Sequence, residues 1–128
     1  MFLILLKMFP IVFFVFNALM VDGAVGQAPI LHPLMVPKNL KDGSKYSILC
    51  AVEDGVGPYT FDWWFNEQKL VLSRGMSIKN DDESSKLLMD SIGLEHSGHY
   101  QCTVGTALGN AKAEIDLDVK GELGSDLN

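Results

Sequence analysis

The chain has 128 residues, 48% of them apolar and 20% charged, and a net charge of −6. That length bounds it to one domain. Its acidic balance argues against nucleic acid or an anionic membrane surface as partner, because both require a basic footprint.

Met1 to Met20 is an apolar run broken only by Lys7, Pro10 and Asn17. It reads as a secretory signal peptide over residues 1–26, with cleavage after Gly23 or Gly26, where small residues precede the cut. Gly26 is preferred and leaves Gln27 first. The charge-free stretch from Met8 to Val21 falls short of the about 18 to 20 residues of a membrane helix, and Asp22 closes it. Residues 27–120 are then the domain and 121–128 a polar tail, so the expected product is secreted and extracellular, without stable membrane insertion.

Ala28 to Val36 opens the domain as an edge strand or extended arm, since Pro29 and Pro33 lack the N–H of a central strand. Pro37 to Gly43 brings a short second edge segment and a turn. Tyr46, Ile48, Cys50 and Val52 then alternate with Lys45, Ser47 and Leu49, a period of two that puts the cysteine on an inner face. After a loop from Glu53 to Pro58, Phe61, Trp63 and Phe65 share one face, and Asp62 and Trp64 the other. Asn66 and Glu67 turn the chain into short edge strands predicted at Lys69 to Leu72 and Met76 to Lys79. Asn80 to Ser84 is a solvated acidic loop without the Gly-containing ladder of oxygen ligands that marks a calcium site.

Ser85 to Ile92 sends Leu87, Met89 and Ile92 inward, and Leu94 to Gly98 forms a corner before Tyr100, Cys102 and Val104, which also point inward. Beyond a turn at Thr106 to Asn110, Ala111, Ala113, Ile115, Leu117 and Val119 alternate with Lys112, Glu114, Asp116, Asp118 and Lys120. The pattern is all-β, an antiparallel sandwich of two sheets.

Cys50 and Cys102, with Trp63 after the first and Tyr100 just before the second, resemble the signature of an immunoglobulin domain. The resemblance implies a Cys50–Cys102 disulfide between the sheets, Trp63 packed on it, Tyr100 bonding a nearby backbone group, and an oxidising compartment. Closing that loop stabilises the fold by about 4 kcal/mol in the chain-entropy model. From Ala28 to Lys120 the chain is similar to an intermediate-set (I-set) domain, and its details look like the Down syndrome cell adhesion molecule (Dscam) family and its arthropod relatives. Those details are Pro29-Ile30 followed by Pro33 and Pro37, Asn39-Leu40-Lys41 with Gly43, Leu49-Cys50 with Val52, Pro58, Trp63, Leu70, and His96-Ser97-Gly98-His99-Tyr100-Gln101-Cys102. Most immunoglobulin domains carry Asp where His96 stands, paired with an Arg; His at this position is similar to the adhesion family and leaves Arg74 without that carboxylate.

Members of that family are long receptors with many immunoglobulin and fibronectin type III repeats and a membrane span, whereas this chain ends shortly after Lys120 and has no Asn-x-Ser or Asn-x-Thr sequon. The resemblance therefore implies a secreted single-domain protein acting by protein recognition of the cell-adhesion, axon-guidance or immune type. The alternative is a soluble decoy or truncated fragment of a multi-domain adhesion receptor. The implied partner is another immunoglobulin domain or a cell-surface receptor, with a homodimer among the arrangements open to it.

No nucleophile with a base, carboxylate pair in a cleft or metal-ligand set stands out, so the chain reads as a non-enzyme without cofactor or metal. His96 and His99 lie on an extended corner where that spacing does not converge, and zinc needs three or four ligands. His32 reads as a surface residue, and Met76 and Met89 as core filler. A filled sandwich core also disfavours a small-ligand carrier. The candidate partner face is the outer surface of the Trp63 sheet, carrying Asp62, Trp64, Gln101, Thr103, Glu114, Asp116 and Asp118, with Trp64 as an aromatic anchor. In the competing reading a long side chain such as Lys112 covers Trp64 and the acids serve solubility. The reserve site is the apolar edge from Leu31 to Val36, open to strand addition.

Overall fold

Period-two alternation builds ten strands within residues 27–121, the part of the chain that the computed structural model describes. One sheet runs in the order β1 (Ile30–Leu31), β3 (Tyr46–Asp54), β7 (Ser84–Met89), β6 (Met76–Asn80), all antiparallel. The facing sheet runs β5 (Gln68–Lys69), β4 (Thr60–Phe65), β8 (Gly98–Thr106), β9 (Gly109–Leu117), also antiparallel. β2 (Leu40–Lys41) pairs in parallel with β10 (Val119–Lys120), so the opening arm leaves the first sheet and closes against the end of the chain's last strand. Pro33 and Pro37 account for the crossing, because neither offers an N–H to prolong the pairing begun by β1.

Several boundaries differ from the sequence-based expectation. The strand after Asn66 and Glu67 is Gln68–Lys69 and does not extend to Leu72. Both turn residues take positive φ, 48° and 68°, and Phe65 pairs directly with Gln68. This is the tight hairpin whose twist matches its strands, so pairing begins at once and ends early. β3 runs on to Asp54, into the expected loop, because β1 pairs there. β9 begins at Gly109, within the expected turn.

Ile48, Cys50, Leu87, Met89 and Ile92 meet Trp63, Tyr100, Cys102, Val104 and Leu117 in one core, all of them buried. The disulfide joins β3 to β8 through Cys50 and Cys102, with 6.4 Å between their Cα atoms. A second cross-sheet contact lies beside it: the Trp63 indole N–H donates to Ser85 Oγ at 2.8 Å, and Ser85 is fully buried. In register, Trp63 stands opposite Cys102 and Ser85 opposite Cys50, so the two ties are adjacent.

A 3-10 turn at Leu94–His96 shapes the corner. Tyr100 donates its hydroxyl to the His96 carbonyl at 2.7 Å, and burial pushes its pKa up to about 12. His96 is buried, and its Nδ1 accepts the Gly93 N–H at 2.7 Å, so the side chain closes the corner locally. Arg74 forms no ion pair among the described residues. Gly98 is required next to the corner: its φ is +155°, and an added Cβ would come 2.5 Å from the Phe65 ring.

Ser85→Ala strands the indole N–H away from water and should lower stability by about 1–3 kcal/mol. Trp63→Ala, which empties the core, should cost about 3–5 kcal/mol. Trp64→Ala should cost far less than either; urea midpoints of the three variants check the order.

Candidate interaction face

The outward side chains of the Trp63 sheet fall into rows set by strand register. Asp62, Thr103 and Lys112 form one row across β4, β8 and β9. Lys69, Trp64, Gln101 and Glu114 form the next, across all four strands. His99 and Asp116 form the third. Asp118 is exposed beyond the end of β9, where its Oδ2 lies 2.5 Å from Lys120 Nζ, outside the paired rows.

Trp64 is half-buried and fixed from two sides. Its indole N–H donates to Thr103 Oγ1 at 3.2 Å, and Lys69 Nζ sits 5.7 Å from the ring centroid, a cation–π contact. Lys69 is held in turn by Asp62 Oδ1 at 2.5 Å. Lys112, considered from sequence as the cover of Trp64, instead lies 3.4 Å from Glu114 Oε1. The reason is register: Lys69 pairs directly with Trp64, whereas Lys112 is in the neighbouring row.

His99 belongs to this face, although the sequence reading assigned it only to the corner. Its position in phase with Gln101 and Thr103 is the signal that would have placed it there. Its Nδ1 lies 2.7 Å from Asp116 Oδ1 and its Nε2 3.7 Å from Glu114 Oε2. The hydrogen bond to Asp116, followed by the attraction of the nearby carboxylates, raises its pKa above the ordinary histidine value. Asn66 fixes the His99 backbone: its Oδ1 accepts the His99 backbone N–H at 2.9 Å, while its own N–H donates to the His99 carbonyl at 2.8 Å. Among the described residues, no cluster of three or more His, Cys, Asp or Glu side chains is suited to a metal ion.

A pattern of two such sheets, a buried cross-sheet cystine with its tryptophan, and a β2–β10 parallel closure matches a known model. The family model described as Immunoglobulin I-set domain covers residues 30–119. The chain belongs to the immunoglobulin I-set family. This I-set chain resembles the Dscam adhesion molecules, as its motifs imply. It is 28% identical over 100 residues to the cell adhesion molecule DSCAML1 of Mus musculus, an alignment covering 78% of this chain and 5% of that protein. It is 27% identical over 108 residues to the V-set and immunoglobulin domain-containing protein 1 of Xenopus laevis, covering 77% and 33% of the two chains. Among solved structures it is similar to the Dscam1 Ig7 domain, isoform 5, with a TM-score of 0.66 and 22% identity over 72% of this chain and 96% of that one. It also matches a chain of the complex of titin M10 with obscurin-like 1, with a TM-score of 0.65 and 25% identity over 75% and 97%.

The chain thus spans a small fraction of the adhesion molecule it resembles. Residues 1–26, with the cleavage positions after Gly23 and Gly26, lie outside the described residues, as do residues 122–128. Among the described residues no helix is long and apolar enough to cross a membrane.

With its pKa raised, His99 contributes stability that is fully present below the unfolded histidine pKa and is lost as pH rises through the folded one. An NMR titration of its ring should find a midpoint above the ordinary histidine value, and Asp116→Asn should bring it down. An unmoved midpoint in that variant would contradict the Asp116 contact.

Proposed function

We propose that this I-set chain is a secreted single-domain recognition protein that binds another protein through the outer face of β5, β4, β8 and β9. The partner class is a second immunoglobulin domain or a cell-surface receptor, in a cell-adhesion, axon-guidance or immune setting. No catalytic step, cofactor or metal enters the reading. The observation that carries it is Trp64, a broad aromatic surface fixed by Thr103 and Lys69 before any partner arrives. A preset aromatic loses little side-chain entropy on binding, which is what makes tryptophan an effective interface anchor. Around it, Asp62, Gln101, Thr103, Glu114 and Asp116 supply a polar rim with hydrogen-bonding capacity, Lys112 adds a cationic point and His99 an imidazole. Asp118 belongs to the same acidic border, beyond the rows.

The family membership supports protein recognition, and the apolar amino-terminal run together with the cystine supports export. The small share of DSCAML1 that the chain spans favours a second reading, in which the chain is a soluble decoy or a fragment of a longer adhesion receptor and acts by occupying its partner's surface.

Export is checked by intact mass. The secreted product should begin at Ala24 or Gln27 and weigh two hydrogens less than its reduced form; an intact amino terminus in the membrane fraction would overturn secretion. For the face, the secreted protein is screened against an array of cell-surface ectodomains, and each hit is remeasured with variants. Trp64→Ala should weaken binding by more than about 1 kcal/mol, and Asp116→Lys should change its salt dependence. Hits indifferent to both changes, with the fold intact, would remove this face from the interface.

A further inference from the structure

Between β5 and β6 the chain crosses from one sheet to the other through residues 70–75. Both ends of the crossing are anchored. Leu70 packs against the core and its N–H donates to the Trp63 carbonyl at 3.0 Å, while Met76 packs against the same core where β6 begins. Val71 to Gly75 between them are all exposed, Val71 at 82%. Among the described residues, no group accepts a backbone N–H from Val71 to Gly75, and none donates to the carbonyls of Val71, Leu72 and Arg74. One turn closes the segment: the Met76 N–H donates to the Ser73 carbonyl at 3.0 Å, and Gly75, at φ +82°, takes the glycine position of a type II turn.

This segment holds Arg74, the one arginine of the sequence, exposed and without an ion pair among the described residues. The lysines are placed differently, most of them in paired strands. Lys45 follows Ser44, whose N–H and carbonyl are both bonded, and Lys38 lies in a short exposed stretch between half-buried Val36 and buried Leu40. A serine protease takes its substrate as an added antiparallel strand, pairing with the residue at the cut and the residue two before it. In enzymes of the trypsin class, a carboxylate in the specificity pocket selects a basic side chain at the cut. For a cut after Arg74 the two pairing residues are Arg74 and Leu72, and the N–H and carbonyl of both are free.

We propose that the Arg74–Gly75 bond is a site of limited proteolysis by a serine protease of trypsin-like specificity, and that the product is a two-chain domain. Hydrolysis adds one water across the peptide bond, leaving a carboxylate on Arg74 and an ammonium on Gly75. Access requires only that the Ser73–Met76 turn open, which breaks one hydrogen bond and moves no buried side chain. The first piece carries β1 to β5 with Cys50, and the second carries β6 to β10 with Cys102, so the disulfide joins them. Pairing joins them as well. β3 pairs with β7, β4 with β8 and β2 with β10, each across the cut. The Leu70 anchor lies before the cut and keeps β5 on β4, so Lys69 stays beside Trp64. Cleavage thus removes one covalent path between the sheets and leaves the Trp64 face in place.

Brief digestion of the folded, disulfide-bonded chain with trypsin tests the assignment. The first product should weigh one water more than the intact chain and, on reduction, separate into two pieces that meet at Arg74 and Gly75. It should remain folded, with a lower urea midpoint than the intact chain. Arg74→Gln, at an exposed position, should slow the first cleavage by roughly tenfold or more with the urea midpoint of the uncut chain unchanged. Arg74→Lys should restore cleavage by trypsin and admit a lysine-specific protease at the same bond. Ser85→Ala, which lowers global stability, should leave the rate unchanged, because the cut passes through local opening. A first cut at Lys38 or any other lysine, a chain that resists trypsin, or a rate that rises in Ser85→Ala in step with its lost stability overturns the site. An unfolded product overturns the two-chain domain.

Discussion

The fold depends on a closed ring of four side chains at its centre. Cys50 and Ser85 are partners on one sheet, Trp63 and Cys102 partners on the other, and the disulfide and the indole–hydroxyl bond link the pairs. Two adjacent ties between sheets restrict their relative sliding and rotation in a way that one tie does not. They also set the phase of four strands together. Because strand faces alternate, holding Trp63 inward turns Trp64 outward, and a slip by one residue would exchange them. The ring thereby decides which aromatic is core and which is surface.

Much of this was legible in the sequence because the informative strands are long and half-buried. β3, β4, β8 and β9 each show apolar residues at every second position, and the cysteines and Trp63 fall in phase with them. Ser85 was overlooked for a physical reason: a hydroxyl leaves no apolar mark, and its role exists only because an indole N–H arrives from the other sheet. The short β5 was misplaced because its limits come from left-handed turn residues Asn66 and Glu67, not from hydrophobic pattern. The ion pairs of the outer face were not legible at all, since they follow from cross-strand register. Lys69 and Lys112 look equivalent in sequence as covers for Trp64, and only pairing distinguishes them.

Register also explains how an acidic face is tolerated. Asp62 and Glu114 each have a lysine neighbour, Lys69 or Lys112. Exposed pairs of this kind contribute about 0–1 kcal/mol each, too little to account for the fold. Their larger effect is geometric. Lys69 is held by Asp62 over the Trp64 ring, and the His99 ring lies between Asp116 and Glu114 on a backbone bonded to the Asn66 turn. On the opposite sheet Lys79 stands directly across from Lys86, an arrangement that costs stability and leaves that surface locally cationic while the chain as a whole is acidic.

The Trp64 face presents side chains whose positions are set before any partner arrives, with Thr103 and Lys69 holding the indole and Asp62 holding Lys69. Discrimination there comes from the shape of that indole and the sign of the charges around it, so a substitution in one row changes which partner fits.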